Sequence, residues 1–496
     1  VIKGVQRVLP GEYIKVKNGE IKSESNINNF SSGGVVDISE EEALQKLDEV
    51  LMDSVEIHQR SDVPYGMFLS GGIDSSVILA CMRELNDEPV CAFTVGFDVG
   101  KTTDERIHAE YLAKISGAKF CPIEFSEKDF WDLLPLVATC LDDPITDYAT
   151  LPTFKLAQAA NKAGLKVVLS GEGGDELFAG YGRYRKQLRP WWLGGAVSLR
   201  KGIFSGTDIL NQPTVPFKTI ENLDKNLTKV QTSQMADIQD WLPNDLLVKL
   251  DRCLMAHGVE GRTPFLDDKV ADFAMQLPDK LKINRGLGKY ILRKWLKKKM
   301  PEAQPFSKKR GFTVPVGHWM SKKASLVGSL VSSQECIKEV ANSSEVVQLF
   351  SKLETTSSKK VGRMAWSLLF YSLWHLSHIQ GKSLEGDIFE IFCEALLNTK
   401  LDLFMLVFSI YVIRLTFKYG NIPSGIMVTL AALYFLYKQY TTPKKIPSLA
   451  TAKLAGDEQN KKYCPKVRLT KEELADIKRD ETELAEKKQE EYLFGN

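Results

Sequence analysis

The stretch Phe68-Leu69-Ser70-Gly71-Gly72-Ile73-Asp74-Ser75-Ser76 joins two different patterns. The apolar run 63–69 reads as a buried strand and stops at Ser-Gly-Gly, and a helical pattern starting at Asp74 then carries Val77, Ile78 and Ala80 inward. Strand, glycine turn and helix N-terminus together make an anion site, because unpaired N–H groups and the positive end of the helix dipole converge there. Gly71 and Gly72 let the backbone approach a phosphate with no Cβ in the way. Ser70, Ser75 and Ser76 add hydroxyl donors, and Asp74 offers a carboxylate to a hard cation bridging to the phosphate. No Walker lysine follows, so the expected object is a pyrophosphate cradle distinct from a P-loop.

Outward from this stretch the signals are α/β. Ser39 with Glu40, Glu41 and Glu42 opens a capped helix running to about His58, a strand spans 90–97, and a helix spans 104–116. The next buried strand, 166–169, breaks into Ser170-Gly171-Glu172-Gly173-Gly174-Asp175-Glu176, which repeats the first pattern of strand, Ser-Gly loop, acid and helix. Such alternation predicts a parallel sheet covered on both faces, with ligands beyond the carboxyl ends of its strands. Two loops of this kind can face one ligand. Asp74 and Asp175, each just past a strand end, are candidates to share Mg²⁺ held on a nucleotide's pyrophosphate. Glu172 lies between glycines, a position that suits substrate contact; the alternative is an acid stabilising a helix N-terminus. The acidic loop Asp142-Asp143-Pro144-Ile145-Thr146-Asp147 reads as a capped turn or, alternatively, as a ligand contact. Residues 190–380 read mainly as helices, and the lysine run 294–299 as a solvated helix face.

Over 496 residues the formal net charge is +2, so no global field points to nucleic acid. Eight cysteines are scattered without a C-x-x-C pair, which argues against a disulfide framework or a zinc site and for reduced, cytoplasmic thiols. No basic-then-apolar leader opens the chain; it begins at Val1, which reads as a fragment. Residues 1–30 are expected to form a hairpin, with its turn at Asn18-Gly19, and a polar linker. Residues 31–383 form the α/β and helical part. The runs 403–417 and 422–437 are apolar apart from Arg414. The second, extended to Tyr440, approaches the roughly 20 residues a spanning helix needs. Residues 384–445 are therefore expected to anchor a cytoplasmic catalytic part to a membrane through 403–440. Residues 446–496 form a charged tail.

The span 37–381 closely resembles the synthetase domain of the B-type, glutamine-dependent asparagine synthetases. It shares Leu69-Ser70-Gly71-Gly72-Ile73-Asp74-Ser75-Ser76, Phe93-Thr94-Val95-Gly96-Phe97, Leu169–Glu176, Glu260-Gly261-Arg262-Thr263-Pro264-Phe265-Leu266-Asp267 and Gly288-Lys289-Tyr290-Ile291-Leu292-Arg293. Only the first is widespread among ATP pyrophosphatases. The resemblance implies the ATP pyrophosphatase fold with a helical C-terminal half. It implies an ATP-dependent ligase that makes asparagine through a β-aspartyl-AMP intermediate, releases pyrophosphate and takes ammonia as nitrogen donor. By resemblance, Ser70, Gly71, Gly72, Asp74, Ser75 and Ser76 hold the pyrophosphate, and Asp74 and Asp175 hold Mg²⁺. Leu69, Val95, Ser170 and Gly171 line the adenosine pocket. Glu172 matches the glutamate of intermediate formation and ammonia attack, and Lys289 the lysine that stabilises charge on the α-phosphate. Arg262 is a candidate bidentate anchor for aspartate; its alternative is an ion pair with Glu260 or Asp267. Residues 1–23 resemble only the last hairpin of the family's glutaminase domain, and no cysteine matches its nucleophile. Glutamine hydrolysis is therefore not expected from this chain, and free ammonia or a separate glutaminase is. Two other readings stand beside this one: an amidotransferase of similar design acting on another carboxylate such as a sugar acid, and an inactive, membrane-tethered nucleotide-binding scaffold.

Overall fold

A computed structural model describes residues 5, 7–26, 34–97, 105–197, 202–212, 227–307, 314–386, 388 and 390–392. The expected membrane segment 403–440, the charged tail and the chain's second compact unit, Asn421–Asn496, lie outside the described residues. Among the described residues no helix is long and apolar enough to cross a membrane.

The chain opens with the antiparallel hairpin of β1 (Glu12–Lys17) and β2 (Glu20–Asn26). Asn18 and Gly19 turn it with φ of 54° and 76°, as an Asn-Gly turn requires. β2 runs into the Ser/Asn-rich stretch that composition assigns to a linker. Then α1 (Glu40–Gln59) starts on a full capping box between Ser39 and Glu42, worth about 1 kcal/mol.

A five-stranded parallel sheet follows, built from β3 (Tyr65–Phe68), β4 (Cys91–Phe97), β5 (Lys119–Phe125), β6 (Val167–Leu169) and β7 (Glu260–Arg262). Its strand order is β5-β4-β3-β6-β7. The chain thus steps outward from β3 through α2 (Ile73–Leu85), β4 and α3 (Glu105–Ile115) to β5. It returns through α4 (Glu127–Cys140) and α5 (Thr150–Lys162) to place β6 on the other side of β3. The carboxyl ends of β3 and β6 are therefore the point where the winding reverses, the place where open α/β sheets bind ligands.

The central strands β3, β4 and β6 are buried on both faces, as parallel sheets require. In β6, Val167 and Leu169 enter one core while Val168 enters the other. The first core joins the sheet to α1, α2, α10 (Asp268–Gln276) and α12 (Tyr290–Lys299). Between β6 and β7 come α6 (Gly174–Leu177), α7 (Gly182–Gln187), α8 (Lys229–Ala236), a π-helical stretch Asp237–Leu246 and α9 (Leu247–Met255), and α11 (Asp279–Lys282) precedes α12. The second core joins α4, α5 and α9 to the helical C-terminal half, α13 (Val316–Ser321), α14 (Ala324–Ser333), α15 (Glu335–Val340), α16 (Ser343–Thr355) and α17 (Lys359–His378). Trp319, Trp366 and Trp374 are fully buried there. Pro243 sits inside the π-helical stretch, where its missing N–H and its ring exclude a regular i→i−4 ladder.

Candidate active site

The first loop behaves locally as its residues dictate. Gly71 takes a φ of +68°, which glycine adopts without a Cβ penalty. Gly72 is the N-cap of α2 and places no side chain over its first turn. The hydroxyls tie the loop together: Ser75 Oγ lies 3.1 Å from Ser70 Oγ, and Gly72 N donates to Ser70 Oγ at 3.2 Å. Ser76 Oγ is buried and has no hydrogen-bond partner within the protein. A buried hydroxyl without a partner is costly unless a ligand completes it, so this loop fits a phosphate group.

The second loop meets the first directly. A Cβ on Gly171 would fall 2.9 Å from Asp74 Cβ, and one on Gly174 would fall 2.5 Å from Asp74 Oδ1. Gly173 takes a φ of +92° and passes against Leu266. Only glycines allow the two loops this approach.

Lys289 closes the cluster. Its Nζ lies 2.5 Å from Asp74 Oδ2 and 2.7 Å from Asp175 Oδ1. The lysine is buried, and burial alone would lower its pKa. Asp175 and Asp74 outweigh that effect and raise it, so the ammonium stays charged. Lys289 is the N-cap of α12 with a φ of +56°, and Ala179, opposite, has a φ of +55°. Left-handed backbone at such residues costs of order 1–3 kcal/mol and concentrates at functional sites. Lys289 N donates to Phe178 O at 2.9 Å. Gly180 and Gly288 allow the contact: a Cβ on Gly180 would fall 1.8 Å from Asp175 Oδ1, and one on Gly288 2.3 Å from Ala179 O.

Leu69 and Val95 sit buried at the ends of β3 and β4, where Thr94 Oγ1 donates to Leu69 O at 2.6 Å. Ser170 N donates to Arg262 O at 2.8 Å, continuing the β6–β7 ladder into the second loop. Glu172 turns to a residue that motif reading missed: its Oε1 lies 3.2 Å from Nζ of the buried Lys249, which also meets Asp147 Oδ2 at 2.9 Å. Asp147 therefore both caps and pairs, since its Oδ1 accepts from Ala149 N at 2.9 Å. Glu176, fully buried, accepts from Tyr181 at 2.5 Å, and burial pushes its pKa up to about 7.

Arg262 makes the ion pair of its structural alternative. Nε pairs with Glu260 Oε1 at 2.8 Å, and the guanidinium donates to His58 O at 3.0 Å and Arg60 O at 2.7 Å. These carbonyls belong to the last turn of α1 and its C-cap. The reason is local: the end of α1 leaves carbonyls unpaired, and a five-donor guanidinium satisfies them. The lysine run also has structural partners, since Lys294 pairs with Glu40 at 2.8 Å and Lys299 with Asp48 at 2.9 Å, tying α12 to α1.

Residues 46–376 match the family Asparagine synthase. The chain belongs to this family. It is 29% identical over 440 residues to asparagine synthetase [glutamine-hydrolyzing] 1 of Bacillus subtilis, covering 77% of this chain and 67% of the relative. It is 29% identical over 440 residues to a putative asparagine synthetase [glutamine-hydrolyzing] of Mycobacterium tuberculosis, covering 76% and 65%. Asparagine synthetase B [glutamine-hydrolyzing] of Escherichia coli is 28% identical over 353 residues, covering 68% and 56%. The chain thus spans about two-thirds or less of the length of these relatives. The family match encloses both loops, Lys249 and Lys289.

Proposed function

We propose that the chain is an ATP-dependent ligase that converts aspartate to asparagine through β-aspartyl-AMP, with ammonia as the immediate nitrogen donor. The observation that carries this reading is the cluster of Lys289 with Asp74 and Asp175 where the winding of the sheet reverses. The loop 70–76 binds the pyrophosphate of ATP through backbone N–H groups and serine hydroxyls, and Leu69, Val95, Ser170 and Gly171 border the adenosine. A β-carboxylate oxygen of aspartate attacks the α-phosphorus, and pyrophosphate leaves. Lys289 holds its charge against the oxygens of the α-phosphoryl group, where negative charge develops.

Two carboxylates suit Mg²⁺, which is typically held by one or two carboxylates together with phosphate oxygens and water. Asp74 and Asp175 would hold it, and it would neutralise charge on the leaving pyrophosphate. In the second step ammonia bonds to the β-acyl carbon and the acyl C–O bond breaks with its electron pair to AMP. One nitrogen proton passes to Glu172.

The test is the full chain with ATP, Mg²⁺, ammonium and aspartate, with asparagine and pyrophosphate both followed. Equal yields are expected. Pyrophosphate release with other carboxylic acids but not aspartate would replace the substrate, and no release with any acid would overturn the ligase. Ammonia in solution or from a separate glutaminase would serve equally in this step. The apolar run 403–440 carries a separate proposal of membrane association, tested by flotation of the full chain with vesicles; recovery away from the lipid fraction would defeat it.

A further inference from the structure

Lys249 occupies a core position. On one stripe of the helix that includes α9, Leu246, Leu250, Cys253 and Leu254 are all buried, and Lys249 lies among them with 5% of its surface exposed. Burying an ammonium costs several kcal/mol unless its partners compensate. Here the partners are Asp147 and Glu172. Burial alone would lower the pKa of Lys249 and raise that of Asp147. The attraction between them reverses both directions, so both stay ionised.

The three side chains form a graded series. The side chain of Lys249 is 6% exposed, that of Asp147 17% and that of Glu172 25%. Asp147 is fixed by the Ala149 N–H at the start of α5. Glu172 lies between Gly171 and Gly173, which pack on Asp74 and Leu266, and its Oε1 reaches Lys249 Nζ at 3.2 Å.

We propose that Lys249, anchored by Asp147, is the positioning residue that holds Glu172 as the base of the ammonia step. The inference rests on the asparagine-forming reading given above. Lys249 binds Oε1 and stays protonated throughout. Oε2 is left to take the proton that nitrogen loses as the C–N bond forms and the acyl C–O bond to AMP breaks.

Glu172 meets Lys249 of α9, and Lys249 meets Asp147 from the turn before α5; in its own loop the charges of Glu172 and Asp175 both act on Glu176. Asp245 from the π-helical stretch acts on Lys249, and Arg363 from α17 acts on Asp147.

The experiment compares the wild-type full chain with Lys249→Met, Lys249→Arg and Asp147→Asn. Aspartate-dependent exchange of pyrophosphate into ATP reads the first step, and asparagine formation with ammonium reads both. Lys249→Met is expected to retain exchange while asparagine formation falls by about 10²-fold, the usual contribution of a positioned base. Lys249→Arg, which keeps the charge, is expected to restore most of the rate. If Lys249→Met does not fold, Asp147→Asn, which keeps the lysine and its volume, is expected to give the same split in smaller measure. Exchange and asparagine formation falling together, with no rescue by Lys249→Arg, would overturn this inference alone. A wild-type chain that forms no asparagine would overturn the ligase reading as well.

Discussion

Lys249 and Lys289 grip opposite ends of one loop, and Lys282, buried as deeply, grips none. The loop 170–176 gives Glu172 to Lys249 and Asp175 to Lys289. Each of these lysines meets two carboxylates, and each has its pKa raised despite burial. The side chain of Lys282 donates to Gln234 Oε1 at 3.0 Å, and burial pulls its pKa down to about 7. Burial is common to all three; the number of carboxylates in contact decides the sign. A buried lysine held charged by two acids is a preorganised cation, which is what a developing phosphate charge or an oriented carboxylate needs.

The comparison breaks most readily at Lys289. Lys289→Ala is expected to reduce aspartate-dependent pyrophosphate release by about 10²–10³-fold, the cost of losing one preorganised stabilising group. A rate within a few-fold of wild type would remove Lys289 from the first step. Gly180→Ala tests the geometry rather than the charge. Its Cβ would fall 1.8 Å from Asp175 Oδ1 and 2.3 Å from Lys289 Cε, so the ion pair must open. Misplacement of about 1 Å can cost about 10²-fold, and kcat is where the loss is expected. Unchanged kinetics would mean that the Asp175–Lys289 contact is not needed in that form.

Arg262 sharpens the contrast between a site cation and a structural one. Arg262→Ala is expected to leave the KM for aspartate unchanged and to lower stability by about 1–3 kcal/mol, as the His58 and Arg60 carbonyls lose their donor. A tenfold rise in KM with unaltered unfolding would return Arg262 to the substrate.

Lys282 gives the smallest effect, one of pH. Its pKa falls from 10.5 unfolded to about 7 folded. Between those values the unfolded chain binds more protons, so wild-type stability rises with pH through this window. Lys282→Met removes the penalty. Its gain in Tm over wild type is expected to be largest below pH 7 and to shrink toward pH 10. A gain independent of pH would contradict a lysine neutral in the fold.

The sequence makes the two loops legible for a physical reason. Ser-Gly-Gly and Gly171–Gly174 interrupt buried strands where the two loops approach each other closely. Lys289 is legible through its motif. Lys249 carries a weaker signal, a lysine on the apolar stripe of Leu246, Leu250, Cys253 and Leu254, and its partners lie 102 and 77 positions away in the chain. No local pattern reports such a contact. Arg262 shows the converse: its motif helps carry the family resemblance, yet its guanidinium meets carbonyls at the end of α1. β5 and β7 escape periodicity because β5 is half-exposed with a proline inside it and β7 has three residues.

The central claim is that the site between the two loops adenylates the β-carboxylate of aspartate. Aspartate labelled with ¹⁸O in its β-carboxylate, turned over with ATP, Mg²⁺ and ammonium, tests it directly. One labelled oxygen is predicted in the AMP, because the carboxylate oxygen that attacks the α-phosphorus leaves with it when ammonia arrives. AMP without label, or label in the pyrophosphate, would contradict the account.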